Sequence, residues 1–121
     1  NVKAVQANEL IHDTPGESSE NIKNRIELAR AIQQERYQRK MINSRVSNGE
    51  MKKYFEIDAN CTKLLEAAML QFSFSARAYS RILKVARTIA DLDLSDKIKE
   101  EYLLEAIQYR SLDRAIQLTR N

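Results

Sequence analysis

Residues 75–92, SARAYSRILKVARTIADL, constrain the fold of this chain more than any other stretch. At about 100° per residue, Ala76, Ala78, Tyr79, Ile82, Leu83, Val85, Ala86, Ile89, Ala90 and Leu92 fall on one arc of a helix. That arc spans about 200° of the wheel, whereas a helix lying on a protein surface shows a narrower apolar stripe. So broad an arc needs neighbours on two sides, which predicts the central helix of a bundle. The remaining arc carries Arg77, Ser80, Arg81, Lys84, Arg87, Thr88 and Asp91. It reads as a basic face, with Arg77, Arg81 and Lys84 aligned at i, i+4 and i+7.

The helix has a clear start. Ser75 is a good N-cap, and Phe74 and Tyr79 have the spacing of a hydrophobic staple. Arg77 then falls in the first turn, where the helix dipole favours anions and a cation gains nothing. Two explanations stand: a solvated arginine, or one that meets an external anion such as phosphate beside the free N-terminal amides.

Composition says what surrounds this helix. The chain has 121 residues, 43% of them hydrophobic, with only two Gly and one Pro. A chain so poor in turn residues and rich in helix formers predicts an all-α domain, a bundle of about five helices with short connections. The net charge of +3 is compatible with phosphate-bearing partners without requiring them. Cys61 is the only cysteine, which excludes an internal disulfide, points to a reducing compartment and suits a small buried hydrophobe. No apolar run approaches the roughly 18 residues of a membrane span and no signal-peptide core is present, so no membrane partner and a cytoplasmic location are expected. The first residue is Asn1 rather than Met, as expected of a piece of a longer polypeptide.

Residues 1–17 read as a linker or lead-in from a preceding domain, and 18–121 as the helical domain. His12, the only histidine, has no second ligand near it in sequence and anchors no recognisable metal site. Ser18 or Ser19 caps a first helix reaching about residue 40, with Ile22, Ile26, Ala29, Ile32 and Tyr37 inward. Arg25 and Arg36 lie at the edges of that face. Either their stems run along the core while the heads reach water, or they serve a subunit or domain interface. Ser47 and Glu50 form a capping box before a short helix presenting Met51, Tyr54 and Phe55. Asp58 caps the next helix, with Cys61, Leu64, Leu65, Ala68 and Met69 inward. After the central helix, Ile98 tucks into the core, and a last helix from about residue 99 buries Leu103, Ala106, Ile107 and Tyr109.

Several chemistries are excluded. A phosphate-binding loop of the GxxxxGK[ST] type cannot be built from Gly16 and Gly49, so this chain cannot hydrolyse a nucleotide unaided. Nothing pairs Cys61 or a serine with His12, and the carboxylates are interspersed with bases on helix surfaces.

One family shares the central pattern. Ser75-Ala76-Arg77-Ala78-Tyr79, then Arg81-Ile82-Leu83, then the run from Val85 through Asp91-Leu92 resemble the C-terminal helical (lid) domain of the magnesium-chelatase-like AAA+ ATPases, the ComM group. Pro15-Gly16-Glu17-Ser18-Ser19 before a helix with Arg25, Arg30 and Arg36, and Ala106-Ile107-Gln108-Tyr109-Arg110, agree in order and approximate spacing. The resemblance implies that Arg77 is the sensor 2 arginine reaching the γ-phosphate of ATP, with Arg81 a second nucleotide-binding candidate. It also implies a preceding ATPase domain, ATP and Mg2+ in the full-length protein, a homo-hexameric ring, and work on DNA in competence or recombination. Magnesium chelation is the older association of the family, and whether Arg77 serves its own or a neighbouring subunit's nucleotide stays open. The residues alone leave two other classes open: a free-standing nucleic-acid-binding module using Arg77, Arg81, Lys84 and Arg87, and a purely structural bundle.

Overall fold

The computed structural model describes residues 18–120, with side chains as far as residue 113. Five helices and one 3-10 turn follow in order: α1 (Ser19–Tyr37), the turn (Asn43–Arg45), α2 (Asn48–Tyr54), α3 (Ala59–Phe72), α4 (Ala76–Leu92) and α5 (Glu100–Arg120). Among the described residues there is no strand, and no helix long and apolar enough to cross a membrane. The fold is the expected all-α bundle. The lead-in segment 1–17 and His12 lie outside the described residues.

Side-chain caps start four of the helices. The Ser18 hydroxyl accepts the Asn21 amide at 3.1 Å, Asp58 accepts Cys61 at 2.8 Å, Ser75 accepts Ala78 at 3.2 Å, and Ser47 with Glu50 forms the reciprocal box. Each satisfies an amide that no intrahelical carbonyl can reach. α1 ends at Tyr37, earlier than residue 40, because Gln38 adopts the left-handed conformation with φ 55°. The Gln38 side-chain amide donates to the Glu35 carbonyl at 2.7 Å and occupies one of the orphan acceptors there.

α4 is central, as its broad apolar arc predicts. α5 packs along it, α1 and the 3-10 turn pack on it as well, and α3 packs on α5. Ile82, Leu83 and Ala86 meet Leu65, Leu103, Ile107, Met51 and Phe55 in one core. Ile82 is only 1% exposed. Ile82→Ala is therefore expected to destabilise the domain by about 2–5 kcal/mol, and an unchanged urea midpoint would show that this position is not part of a packed core.

Cys61 is fully buried, and its thiol donates to the Ile98 carbonyl at 3.5 Å. Burial, then the nearby Asp58 carboxylate, push the thiol from 9.0 to about 11. The folded state therefore keeps a proton that the unfolded chain releases. This contribution to stability is complete below about pH 9 and is lost as pH rises from about 9 through about 11. At pH 8, iodoacetamide is expected to alkylate the native protein at least about 100-fold more slowly than the urea-unfolded chain, since two pKa units set the thiolate fraction. Equal rates would contradict the burial.

The structure corrects three parts of the inward-facing set. Ile22 and Ile26, expected inside, are 40% and 41% exposed, because the rest of the domain covers only the C-terminal half of α1. Tyr109 is exposed on α5 rather than buried with Ile107. On α4 the buried arc is rotated by roughly 50° relative to the apolar arc: Leu92 is exposed, whereas Arg87 and Asp91, read as solvent-facing, are 4% and 0% exposed.

Candidate phosphate-facing site on the central helix

The start of α4 is an open helix end. The Ser75 hydroxyl takes the Ala78 amide, and the Ser75 carbonyl takes the Tyr79 amide at 3.0 Å. The amides of Ala76 and Arg77 have no carbonyl within the helix to reach. Arg77 is exposed in this first turn. A guanidinium beside outward amides at the positive end of a helix is suited to an anionic oxygen.

Arg81, one turn further on, is also exposed. It lines a groove of about 370 Å³ between α4 and α5 with Lys84, Tyr109 and Arg110, floored by Ile82, Val85 and Ala106. The Lys84 ammonium donates to the Ser44 carbonyl at 3.2 Å, tying the basic edge to the 3-10 turn. Tyr109, missed as a surface residue, thus stands beside the basic face of α4.

Arg25 and Arg36 are not brought together. Arg25 is exposed and lines a groove with Glu101 and Glu105 of α5. Arg36 forks onto Asp91, with Nη1 to Oδ2 at 3.0 Å and Nη2 to Oδ1 at 2.5 Å, and Nη1 also donates to Asn43 Oδ1 at 3.1 Å. Its guanidinium is held inside the domain, neither at a free edge nor beside Arg77, which lies about 21 Å away from Asp91 along α4.

Arg87 also belongs to this interior cluster. Its Nη2 lies 3.1 Å from Asp91 Oδ1 and donates to the Ser95 carbonyl at 2.7 Å, while Nη1 donates to the Asp96 carbonyl at 3.0 Å. The basic face is therefore Arg77, Arg81 and Lys84, without Arg87. Asn43 completes the cluster: its side-chain amide donates to Asp91 Oδ2 at 2.9 Å and Thr88 Oγ1 at 3.0 Å, its backbone amide donates to Gln33 Oε1 at 3.0 Å, and its Oδ1 accepts the Tyr37 hydroxyl. Burial works against the Arg36 charge, but the hydrogen bonds and charge of Asp91 outweigh it and raise its pKa. Burial lowers that of Arg87; Asp91 opposes the shift, and the like charge of Arg36 adds to it. Asp91, Asn43 and Gln33 were not legible as a cluster; the one signal was the opposite charge of Arg87 and Asp91 at i, i+4.

The geometry defines an all-α domain whose central helix has an interior locked by a polar cluster and an open, arginine-bearing start. Residues 16–110 match the family described as magnesium chelatase, subunit ChlI C-terminal, and the chain belongs to that family. It is 39% identical to YifB of Salmonella typhimurium over 105 residues, 38% to YifB of Escherichia coli over 102, and 36% to the competence protein ComM of Haemophilus influenzae over 106. These alignments take in 87%, 84% and 88% of this chain and 20% of each relative, so the chain spans about a fifth of their length. No solved structure matches it.

Proposed function

We propose that this domain is the lid of a magnesium-chelatase-like AAA+ ATPase and that Arg77 is its sensor 2 residue, directed at the γ-phosphate of ATP. The observation that carries the reading is the exposed Arg77 guanidinium in the first turn of α4, beside the outward amides of Ala76 and Arg77. Its role is electrostatic. A fixed cation at the γ-phosphate favours the triphosphate state and stabilises charge that develops during transfer. Because Arg77 rides on the helix around which the domain packs, loss of that phosphate frees α4, and the whole lid with it, to turn. Arg81 extends the same basic face and is the second nucleotide-facing residue.

Among the described residues no three His, Cys, Asp or Glu side chains cluster as a metal-ligand set, and ATP and Mg2+ are assigned to the full-length protein. The full-length protein is read as a cytoplasmic ring ATPase, a homo-hexamer with the ATPase domain preceding this lid, acting on DNA. DNA is preferred to metal chelation as its work by analogy with the competence protein of Haemophilus influenzae to which the chain is similar. A free-standing nucleic-acid module is disfavoured because Arg87 is removed from the basic face by Asp91, Ser95 and Asp96. The deciding experiment is steady-state ATP hydrolysis by the full-length protein carrying Arg77→Ala; undiminished turnover would remove Arg77 from the phosphate.

A further inference from the structure

α1 is about 28 Å long and carries a continuous stripe at helical spacing: Ile22, Ile26, Ala29, Gln33 and Tyr37. The domain covers only its far half. Ala29, Gln33 and Tyr37 are buried, whereas every residue of 19–28 is exposed, Ile22 and Ile26 included. The bare half continues onto other helices. Ile26 lines a shallow groove of about 300 Å³ with Arg30, Ile42 and Leu92, and Leu92 lines a larger one of about 690 Å³ with Leu104 and Glu105. Ile42, Leu92 and Leu104 are themselves exposed. The smaller groove, beside the bare stripe of α1, is mostly apolar, whereas the larger one, which shares Leu92 with it, is mostly polar and carries Arg25, Asp93, Glu101 and Glu105 along its rim. Contiguous apolar surface rimmed by polar groups marks a contact, and ten helical residues left bare in water are only marginally helical by themselves.

We infer that this surface is the seat of the ATPase domain that precedes α1 in the same polypeptide, an inference that rests on the lid reading above. The chain covers 20% of each relative, and the family description places the matched part at a C-terminus. In a polypeptide built like those relatives, the remainder reaches this domain through the N-terminal end of α1, the end where the stripe is bare. A domain tethered there is at high effective concentration over that surface. The covered end of α1 is fastened through Arg36 to Asp91 on α4. α1 thereby connects the seated ATPase domain to the helix that carries Arg77.

Hydrogen–deuterium exchange on the full-length protein tests the seat. The amides of 19–28 are expected to exchange at least about 10-fold more slowly than in a variant carrying Ile22→Glu and Ile26→Glu, while the amides of 82–90 keep their protection in both. Fast exchange of 19–28 in the unaltered protein overturns the inference, whatever the variant does. Crosslinks from the exposed Lys23 in a mixture of unlabelled and 15N-labelled protein identify the occupant. Links confined to one label support the same polypeptide; links joining the two labels assign the surface to a neighbouring subunit and overturn the inference. Protected 19–28 together with normal turnover of Arg77→Ala would leave the seat standing and remove the sensor reading.

Discussion

Asp91→Ala is expected to destabilise the domain by about 3–5 kcal/mol, the range for removing one partner of a buried ion pair. The Asp91 carboxylate is fully buried, and two guanidiniums and the Asn43 amide converge on its oxygens. Without it, Arg36 and Arg87 face each other across a desolvated interior with no counter-charge, and Arg87, already 4% exposed, has no route to water. The fasteners fail together: Arg36 links α1 to α4, Asn43 links the 3-10 turn to α4, and Arg87 holds the Ser95 and Asp96 carbonyls of the α4–α5 connection. Arg36→Ala should cost less, because Asp91 keeps Arg87 and Asn43, and the side chain of Arg36 is 15% exposed. Urea denaturation followed by helical circular dichroism measures both variants. An Asp91→Ala midpoint no lower than that of Arg36→Ala would show that the cluster does not lock the interior.

This cluster also marks where the sequence stopped being legible. The N-caps at Ser18, Asp58 and Ser75 and the Ser47–Glu50 box could be read directly, because a cap is a local bargain between a side chain and an amide three residues on. The central position of α4 was legible from the width of its apolar arc. Its rotation was not. A helical wheel assigns charged side chains to water unless their partners are known, and the partner of Asp91 on α1 is 55 residues away in sequence. The intrahelical pair of Arg87 and Asp91 could have raised the question, but opposite charges at i, i+4 are usually found on exposed helix faces. The stripe of α1 failed differently. Periodicity correctly places Ile22 and Ile26 on the same face as Ala29, but cannot say that α4 and α5 leave that end uncovered. Of the candidate site, the exposure of Arg77 and Arg81 was legible, because both fall outside the apolar arc of the wheel.

Arg77→Ala is expected to lower ATP turnover of the full-length protein by about 10-fold or more, by analogy with arginines that stabilise phosphoryl transfer. Folding stability should stay within about 0.5 kcal/mol, as for ordinary surface sites, because the exposed Arg77 belongs neither to the apolar core nor to the Asp91 cluster. The two measurements together exclude a trivial explanation: a stable protein that no longer turns over has lost chemistry and kept its fold. Arg77→Lys should restore little, since an ammonium keeps the charge without the planar fork that meets two phosphate oxygens at once. Arg81→Ala should cost less than Arg77→Ala, because Arg81 sits a turn away from the outward amides and beside the groove shared with Lys84 and Tyr109. If Arg81→Ala proves the more damaging, the phosphate lies along that groove and the open end of α4 is only a helix terminus. If both variants turn over normally, the basic face serves some other anion, and the lid would act by position alone.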